Sequence, residues 1–306
     1  INDIGYLEDS QWGFTGIFAL ENGGGFLDKH FPEARKACWD FHGIYTTSRH
    51  IPGVRFPGLI HPGLIGTLPS ADLLKTWNDR ESALFKTDPD RVPPLCTLPD
   101  GMAGTTTALM GQMTGDAGKA AGQEAARTVP GREHGGNCDI KNLSRGSKCY
   151  FPVYVKGAGL SMGDIHWSQG DGEITFCGAI EMAGWIDIAV DVIKGGVKKY
   201  GITNPVFIPS QVEPNYSNYL IFEGVCVDEH TGEQKYLDAT VAYRRACLNA
   251  VEYLKKFGYT GEQAYMILGT APCEGRISGI VDIPNACCTI AIPTDIFEFD
   301  IRPSAS

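Results

Sequence analysis

The dipeptide Asp171–Gly172 constrains the fold of this chain more than any other feature, because it separates two runs in which polar and apolar residues alternate. Asp-Gly favours a two-residue type I′ hairpin loop, since both positions tolerate positive φ. A hairpin closed there pairs Gly170 with Glu173, Ser168 with Thr175, His166 with Cys177 and Asp164 with Ala179. Alternation then places Asp164, His166, Ser168, Glu173, Thr175, Cys177 and Glu181 on one face. Ile165, Trp167, Gln169, Ile174, Phe176 and Ile180 fall on the other. The polar face of an antiparallel sheet is ordinarily the one turned to water. This one lacks the Lys and Arg of a solvated strand, and it gathers His, Cys and acids, residue types that bind metals or move protons. A one-residue slip would exchange the two faces, so the reading depends on that turn.

The rest of the chain reads as strand-dominated α+β, with mostly antiparallel strands in sandwich- or barrel-like sheets. Prolines break RFPGLIHPGLIGTLP (55–69) into edge strands and turns. Ser70 is placed to cap a helix with Leu73, Leu74, Trp77 and Leu84 as its apolar stripe. Residues 86–114 read as irregular, and the Ala-rich run 115–129 as a short exposed helix. Strand-like text follows from Lys148. A helix over 236–257 and a second from the Thr260/Gln263 capping box to Leu268 form a helical hairpin near the C-terminus. This divides the chain into a loop-rich part with two helices, 1–147, and a strand-rich core with C-terminal helices, 148–306. Strands and helices do not alternate as βαβ, and no Lys-Ser/Thr follows Gly23–Gly25, so neither a Rossmann fold nor a phosphate loop is expected.

Composition narrows the function. With 306 residues and 43% hydrophobic content the chain supports a sizeable core. Its net charge of −10 argues against nucleic acid and anionic membrane surfaces as partners, and no apolar run is long enough for a transmembrane helix. The start, INDIGYLEDSQWGF, has no leader character and no initiating Met, so the chain is expected to begin inside a longer cytoplasmic protein. Ten cysteines, from Cys38 and Cys96 to Cys287 and Cys288, include no CxxC pair and read as reduced thiols.

A second polar cluster spans Pro130–Ile140. Glu133, His134 and Asp139 flank Gly135–Gly136, whose amides suit an oxyanion. If the two clusters meet, Asp139, Asp164 and His166 make a carboxylate–imidazole set for Zn²⁺, Mn²⁺ or Fe²⁺, with Glu173 as general base. Without a metal, Cys177 beside His166 is an alternative nucleophile. His61 reads as a loop histidine packed beside proline, and His30, His42, His50 and His230 as structural or surface residues.

The motifs GGNxD, LxxG, PV, GDxHxxQGDGE and a downstream Glu occur here as Gly135–Asn137 with Asp139, Leu143 with Gly146, Pro152–Val153, Gly163–Asp164 with His166 and Gln169–Glu173, and Glu181. In this the chain resembles the acetamidase/formamidase family over essentially its whole length, and its formamidase branch in WGFTGIF, WDFHGIYTTSRHIPG and TDIFEFD. The resemblance implies hydrolysis of a short aliphatic amide to a carboxylate and ammonia on a β-rich fold, in one catalytic unit over 1–306 that lacks a further N-terminal strand-rich segment. Carried over by position, the family's polar core maps onto Asp139, Asp164, His166, Gln169, Asp171 and Glu173; Glu173, His166, Asp171 and Gln169 are then expected in catalysis, with Gly135, Gly136 and Asn137 facing the substrate or oxyanion. A divalent metal, Zn²⁺ foremost, falls to Asp139, Asp164 and His166; no organic cofactor is expected. A small amide is the expected partner, in a homo-oligomer with subunit contacts near CCTIAIPTDIFEF. The rival reading from another class is a non-catalytic metal- or ligand-binding β protein.

Overall fold

The computed structural model describes residues 1–87, 115–124, 128–212 and 214–303. Cys96 and residues 88–114, expected to be irregular, lie outside them. In chain order the strands are β1 (Asp3–Tyr6), β2 (Trp12–Ile17), β3 (Arg35–His42), β4 (Tyr45–Ser48), β5 (Arg55–Pro57), β6 (His61–Gly66), β7 (Gly131–Arg132), β8 (Gly135–Asn137), β9 (Lys148–Tyr150), β10 (Ser161–His166), β11 (Phe176–Met182), β12 (Gly184–Asp187), β13 (Val206–Ile208), β14 (Tyr219–Val225), β15 (Glu274–Gly279) and β16 (Cys287–Pro293). The helices are α1 (Ala71–Thr87), α2 (Gly115–Glu124), α3 (Gly196–Tyr200), α4 (Ala239–Lys255) and α5 (Gly261–Thr270).

Nine strands form one antiparallel sheet in the order β5-β4-β3-β2-β11-β10-β6-β8-β7. A three-stranded sheet, β14-β16-β15, forms a second layer, and β1 with β12 and β9 with β13 make two small ribbons. The helical hairpin fills the space between the two main sheets. α4 packs on β14 and β16, and α5 packs on β11 and β2. α4 buries one stripe, Val241, Ala242, Ala246, Cys247, Ala250, Val251 and Leu254, at the three- and four-residue spacing of a helix face. Asp238 caps it by accepting the Thr240 and Val241 amides. α5 begins in the expected capping box, with Thr260 and Gln263 bonded reciprocally. The shared core holds Trp39, Phe41, Phe56, Trp167, Ile267 and Ile290, with the Trp167 and Phe41 rings stacked at 4.1 Å.

The β-rich antiparallel architecture and the helical hairpin match the sequence expectation, whereas several local expectations change. Ser70 accepts the Leu73 amide at the start of α1, but Leu84 is half exposed, so only the first turns of the stripe are covered. Among the described residues the 1–147 part carries eight strands besides two helices, and the nine-stranded sheet takes strands from both sides of residue 147. β5 is an edge strand as expected, but β6 is interior. It tolerates Pro62 because its pairing with β8 starts later, at Leu64 opposite Asn137.

The largest correction concerns the hairpin. A turn does form at Asp171–Gly172, closed by the Glu173 amide on the Gly170 carbonyl. Gly172 has φ 95 while Asp171 is not in the positive region, the φ pattern of a type II turn rather than type I′. The strands pair across it in a different register. β10 meets β11 at His166 opposite Glu181 instead of Cys177. Trp167 and Ser168 still exchange backbone bonds with Ile180, and residues 169–174 then leave the sheet as the turn docks on the end of α5. The Gly170 amide bonds to Gly269 O at 2.6 Å and the Asp171 amide to Cys273 O at 3.1 Å. A Cβ on Gly170 would lie 1.9 Å from Leu268 O, so the docking needs glycine there.

Close approach also governs the second layer. A Cβ at Gly224 in β14 would fall 2.2 Å from Ala242 O and 2.3 Å from Ala246 N of α4. In urea unfolding, Gly224→Ala should therefore cost about 3 kcal/mol or more, against about 1 kcal/mol for removing the α5 cap with Thr260→Ala. Equal midpoints for the two variants would show that β14 and α4 do not touch at this glycine.

Candidate active site

Four neighbouring segments of the large sheet bring five ionisable side chains together. β10 supplies Asp164 and His166, β11 supplies Glu181, the segment after β8 supplies Asp139, and the bend after the docked turn supplies Glu173. His166 is fully buried at the centre. Its Nε2 lies 3.3 Å from Asp164 Oδ1 and 3.2 Å from Glu181 Oε2, yet it is aligned for a hydrogen bond to neither. Asp139, His166 and Glu173 each offer a donor atom within 4.8 Å of the others, as do Asp164, His166 and Glu181.

Backbone strain aims these acids. Asp139 (φ 51), Asp164 (φ 55) and Glu173 (φ 46) all occupy the left-handed region, at a cost of about 1–3 kcal/mol each. A bulge helps. Between Cys177 and Glu181, β11 takes four residue steps while β2 takes two, from Gly16 to Phe14. Gly178 in that bulge donates its amide to Glu173 Oε1 at 3.4 Å. Gly63 of β6 leaves room at the focus. A Cβ there would lie 2.5 Å from His166 Cε1, 2.8 Å from Asp139 Oδ1 and 2.9 Å from Asp164 Oδ2. A cleft of about 520 Å³, lined by Trp12, Phe14 and Met182 among others, opens onto Asp164 and Glu181.

The imidazole is oriented from behind. His61 Nδ1 sits 2.7 Å from Leu59 O, an acceptor only, so that nitrogen carries the proton. Burial first, and then His166, push His61 down to about 3, so its ring is neutral and Nε2 is an acceptor. The Nδ1–H of His166 therefore points at His61 Nε2 (3.3 Å) and Gln169 Oε1 (3.0 Å). Gln169 is fixed in turn by donating to Asp139 O at 2.6 Å. With Nδ1 protonated, Nε2 of a neutral His166 presents its lone pair to the four carboxylates.

That electrostatic arrangement is unbalanced without a cation. Burial, then the charge of Asp139, pushes Glu173 up to about 9. Burial raises Asp139 to about 6 against the pull of His166, and burial raises Glu181. Asp164 is lowered because His166 outweighs its burial. His166 is raised well above its usual range because Asp164 and Glu181 outweigh its own burial. The residues present fit a divalent ion. His166 Nε2 and Asp139 Oδ1 are buried without a hydrogen-bond partner. Donors about 2.0–2.2 Å from one tetrahedral ion stand about 3.3–3.5 Å apart, close to the separations of His166 Nε2 from its two acids. The Nδ1–H of His166 meets a second-shell acceptor, as metal-bound histidines require.

Other residues singled out in the sequence stand elsewhere. Asp171 pairs with the buried Lys141 and accepts the Gly275 amide at 2.8 Å, beneath the docked turn. Gly135 and Gly136 are embedded in β8 between β6 and β7. A Cβ on Gly135 would lie 2.5 Å from Ile65 O, so close strand packing accounts for that glycine. Asn137 donates to Val129 O at 3.0 Å. Glu133 accepts from Trp77 Nε1 at 2.6 Å and pairs with Arg80, and the His134 ring packs on Trp77, so both face α1. Cys177 lies beside the acids; burial, then Glu181 and Glu173, push its thiol up to about 11. Two groups escaped sequence reasoning. His61 lies opposite His166 in the β6–β10 register, a signal visible only once residues 61–66 are read as an interior strand. Lys141 follows the GGNxD motif and carried no signal of its own.

Across residues 1–299 the sequence matches the model of the acetamidase/formamidase family. The chain belongs to the acetamidase/formamidase family. That makes it an amidohydrolase of linear amides, as the motif resemblance implied. It is 69% identical over 305 residues to the formamidase of Methylophilus methylotrophus, spanning all of this chain and 74% of that protein. It is 62% identical over 265 residues to the acetamidase of Mycolicibacterium smegmatis, spanning 86% of this chain and 64% of that one. The solved gamma lactamase from Delftia acidovorans superposes with a TM-score of 0.91 at 66% identity, over 99% of this chain and 73% of that one.

Gly63→Ala tests the focus of this acidic cluster. The variant should keep the far-UV circular dichroism of the wild type and bind Zn²⁺ at this cluster at least about tenfold more weakly in equilibrium dialysis. Unchanged Zn²⁺ binding would show that Asp139, Asp164 and His166 do not share one ligand position beside β6.

Proposed function

We propose that this chain hydrolyses formamide, and other short aliphatic amides more slowly, to the carboxylate and ammonia through attack by an activated water. The observation that carries this reading is the convergence of Asp139, Asp164, Glu173 and Glu181 on one buried imidazole beside an open cleft. A divalent cation held by Asp139, Asp164, His166 and Glu181 would supply Lewis-acid polarisation of the amide carbonyl and of water. The chain's own groups do the rest. Gln169 and His61 hold His166 in one tautomer and one orientation. Glu173, on its bulge, takes the proton from the attacking water and passes it to the leaving nitrogen. Positive charge in the cluster lowers Glu173 from its raised value toward the range in which it accepts that proton. Asp171 acts at one remove, through Lys141 and the docked turn that carries Glu173. Apolar fit separates formamide from acetamide by only about 1–3 kcal/mol per methylene, which supports slow turnover of the larger amide.

The Cys177 nucleophile reading has less support than attack by water. The register puts Glu181, not Cys177, opposite His166, and a thiol raised among acids is a poor source of thiolate. We also propose that the protein works as a cytoplasmic homo-oligomer. In the CCTIAIPTDIFEF segment Cys288, Ile290 and Ile292 are core residues and Phe299 is exposed, so little of it is open to subunit contacts. Exposed Val190, Val192, Val281 and Ile283 are better placed for self-association. Among the described residues no helix is long and apolar enough to cross a membrane.

Ammonia release from formamide tests the chemistry. Glu173→Gln should lower kcat by about 10²–10⁴ in a folded protein, and near wild-type turnover in that variant removes Glu173 as the base. Cys177→Ala should stay within about threefold of wild type; complete loss of turnover in a folded Cys177→Ala would restore the thiol as nucleophile. Dialysis against a chelator should abolish hydrolysis and Zn²⁺ should restore it, whereas activity that survives metal removal would place the whole burden on the side chains.

A further inference from the structure

A second group of metal-binding side chains lies apart from that cluster and shares no residue with it. His30 belongs to the connection between β2 and β3, while Glu229 and His230 belong to the turn after β14, 199 residues from His30 in the case of Glu229. The folded chain brings one ligand atom from each to within 4.8 Å of the others. Glu229 Oε1 lies 3.2 Å from His30 Nε2 and 3.6 Å from His230 Nε2. These separations bracket the edge of about 3.3–3.5 Å between donors on one tetrahedral ion. The two imidazoles stack nearly parallel, with centroids 4.8 Å apart and planes at 15°, so both Nε2 atoms address the same carboxylate.

The carboxylate itself points to a ligand. The Glu229 side chain is only 5% exposed, and its Oε2 is buried without a hydrogen-bond partner. A simple ion pair with His30 uses Oε1 alone and leaves the second oxygen desolvated, which costs about 1–3 kcal/mol. A cation shared by the three side chains can take both oxygens. The turn is built before any ion arrives. Asp228 Oδ1 accepts the His230 amide at 3.1 Å, the Thr231 amide at 2.8 Å and the Thr231 hydroxyl at 2.9 Å. The histidines stay reachable, with side chains 28% and 44% exposed.

We propose that His30, Glu229 and His230 form a second divalent-metal site of the Zn²⁺ class, which ties the β2–β3 connection to the turn after β14. Two imidazoles and one carboxylate select borderline transition ions over Mg²⁺ or Ca²⁺. Three protein ligands leave a position for water. The site lies outside the hydrolytic machinery, so its role is to cross-link two layers of the fold, and a clip between residues so far apart in sequence closes a long loop.

Zn²⁺ loading of the intact chain, counted per chain after desalting, tests this. His30→Ala/His230→Ala should bind one equivalent fewer than wild type, keep its turnover of formamide, and match the wild-type unfolding midpoint in chelator. Asp139→Asn should still bind Zn²⁺ at the histidine site, and Zn²⁺ should raise its midpoint by about 3 °C. The same addition should leave that midpoint unmoved when His30→Ala/His230→Ala is combined with Asp139→Asn. If the paired alanines destabilise the chain, His30→Gln alone should give the same loss of one equivalent. Equal Zn²⁺ stoichiometry in wild type and in the histidine variants would overturn the proposal, because the cysteines are common to all of them. An inactive enzyme that still loses one equivalent on His30→Ala/His230→Ala would overturn the hydrolytic reading and leave this one standing.

Discussion

Four carboxylates crowded around one buried imidazole are the interaction on which the rest of this structure depends. Burial pushes each of them toward its protonated form, and mutual repulsion would drive them apart. They stay together because the sheet holds their backbones. β10 and β11 meet at His166 and Glu181, and three of the acids sit in left-handed conformations that few side chains adopt freely. Strain of that kind persists only where the surrounding structure over-determines it. Here the surroundings are an interior strand on one side, β6, and a bulge on the other.

The support extends two layers outward. Behind His166, His61 and Gln169 settle which ring nitrogen carries the proton, and Leu59 settles it for His61. Beneath the turn, Lys141 bridges Asp171 and the Cys273 carbonyl, which ties the bend carrying Glu173 to the chain leaving α5. The helical hairpin thus packs the core and also seats the loop that delivers Glu173. In this chain Asp139, Asp164, His166, Glu173 and Glu181, spread over more than forty residues of sequence, meet in one sheet neighbourhood.

Much of the fold was legible because the signals are local. The Thr260/Gln263 capping box, the Ser70 cap and the apolar stripe of α4 each depend on residues within one or two turns. The turn at Asp171–Gly172 was legible for the same reason. The pairing across it was not, because docking of Gly170 on α5 is a contact between residues about a hundred apart. That one contact replaces a tight hairpin by an excursion over 169–174, and Glu181 replaces Cys177 as the neighbour of His166. Gln169, read onto the apolar face, joins the site once the alternation ends. His61 stayed hidden behind Pro62, since proline argues for an edge and the interior position of β6 depends on where β8 begins.

By itself the sequence determined the residue types at the site, the turn that separates them, the helix caps and the family, since each is written in composition, short spacing or motif. Tertiary structure alone decided which acids face His166, which nitrogen of that ring is free and that Asp171 pairs with Lys141, because register, burial and hydrogen-bond direction exist only between segments brought together by folding.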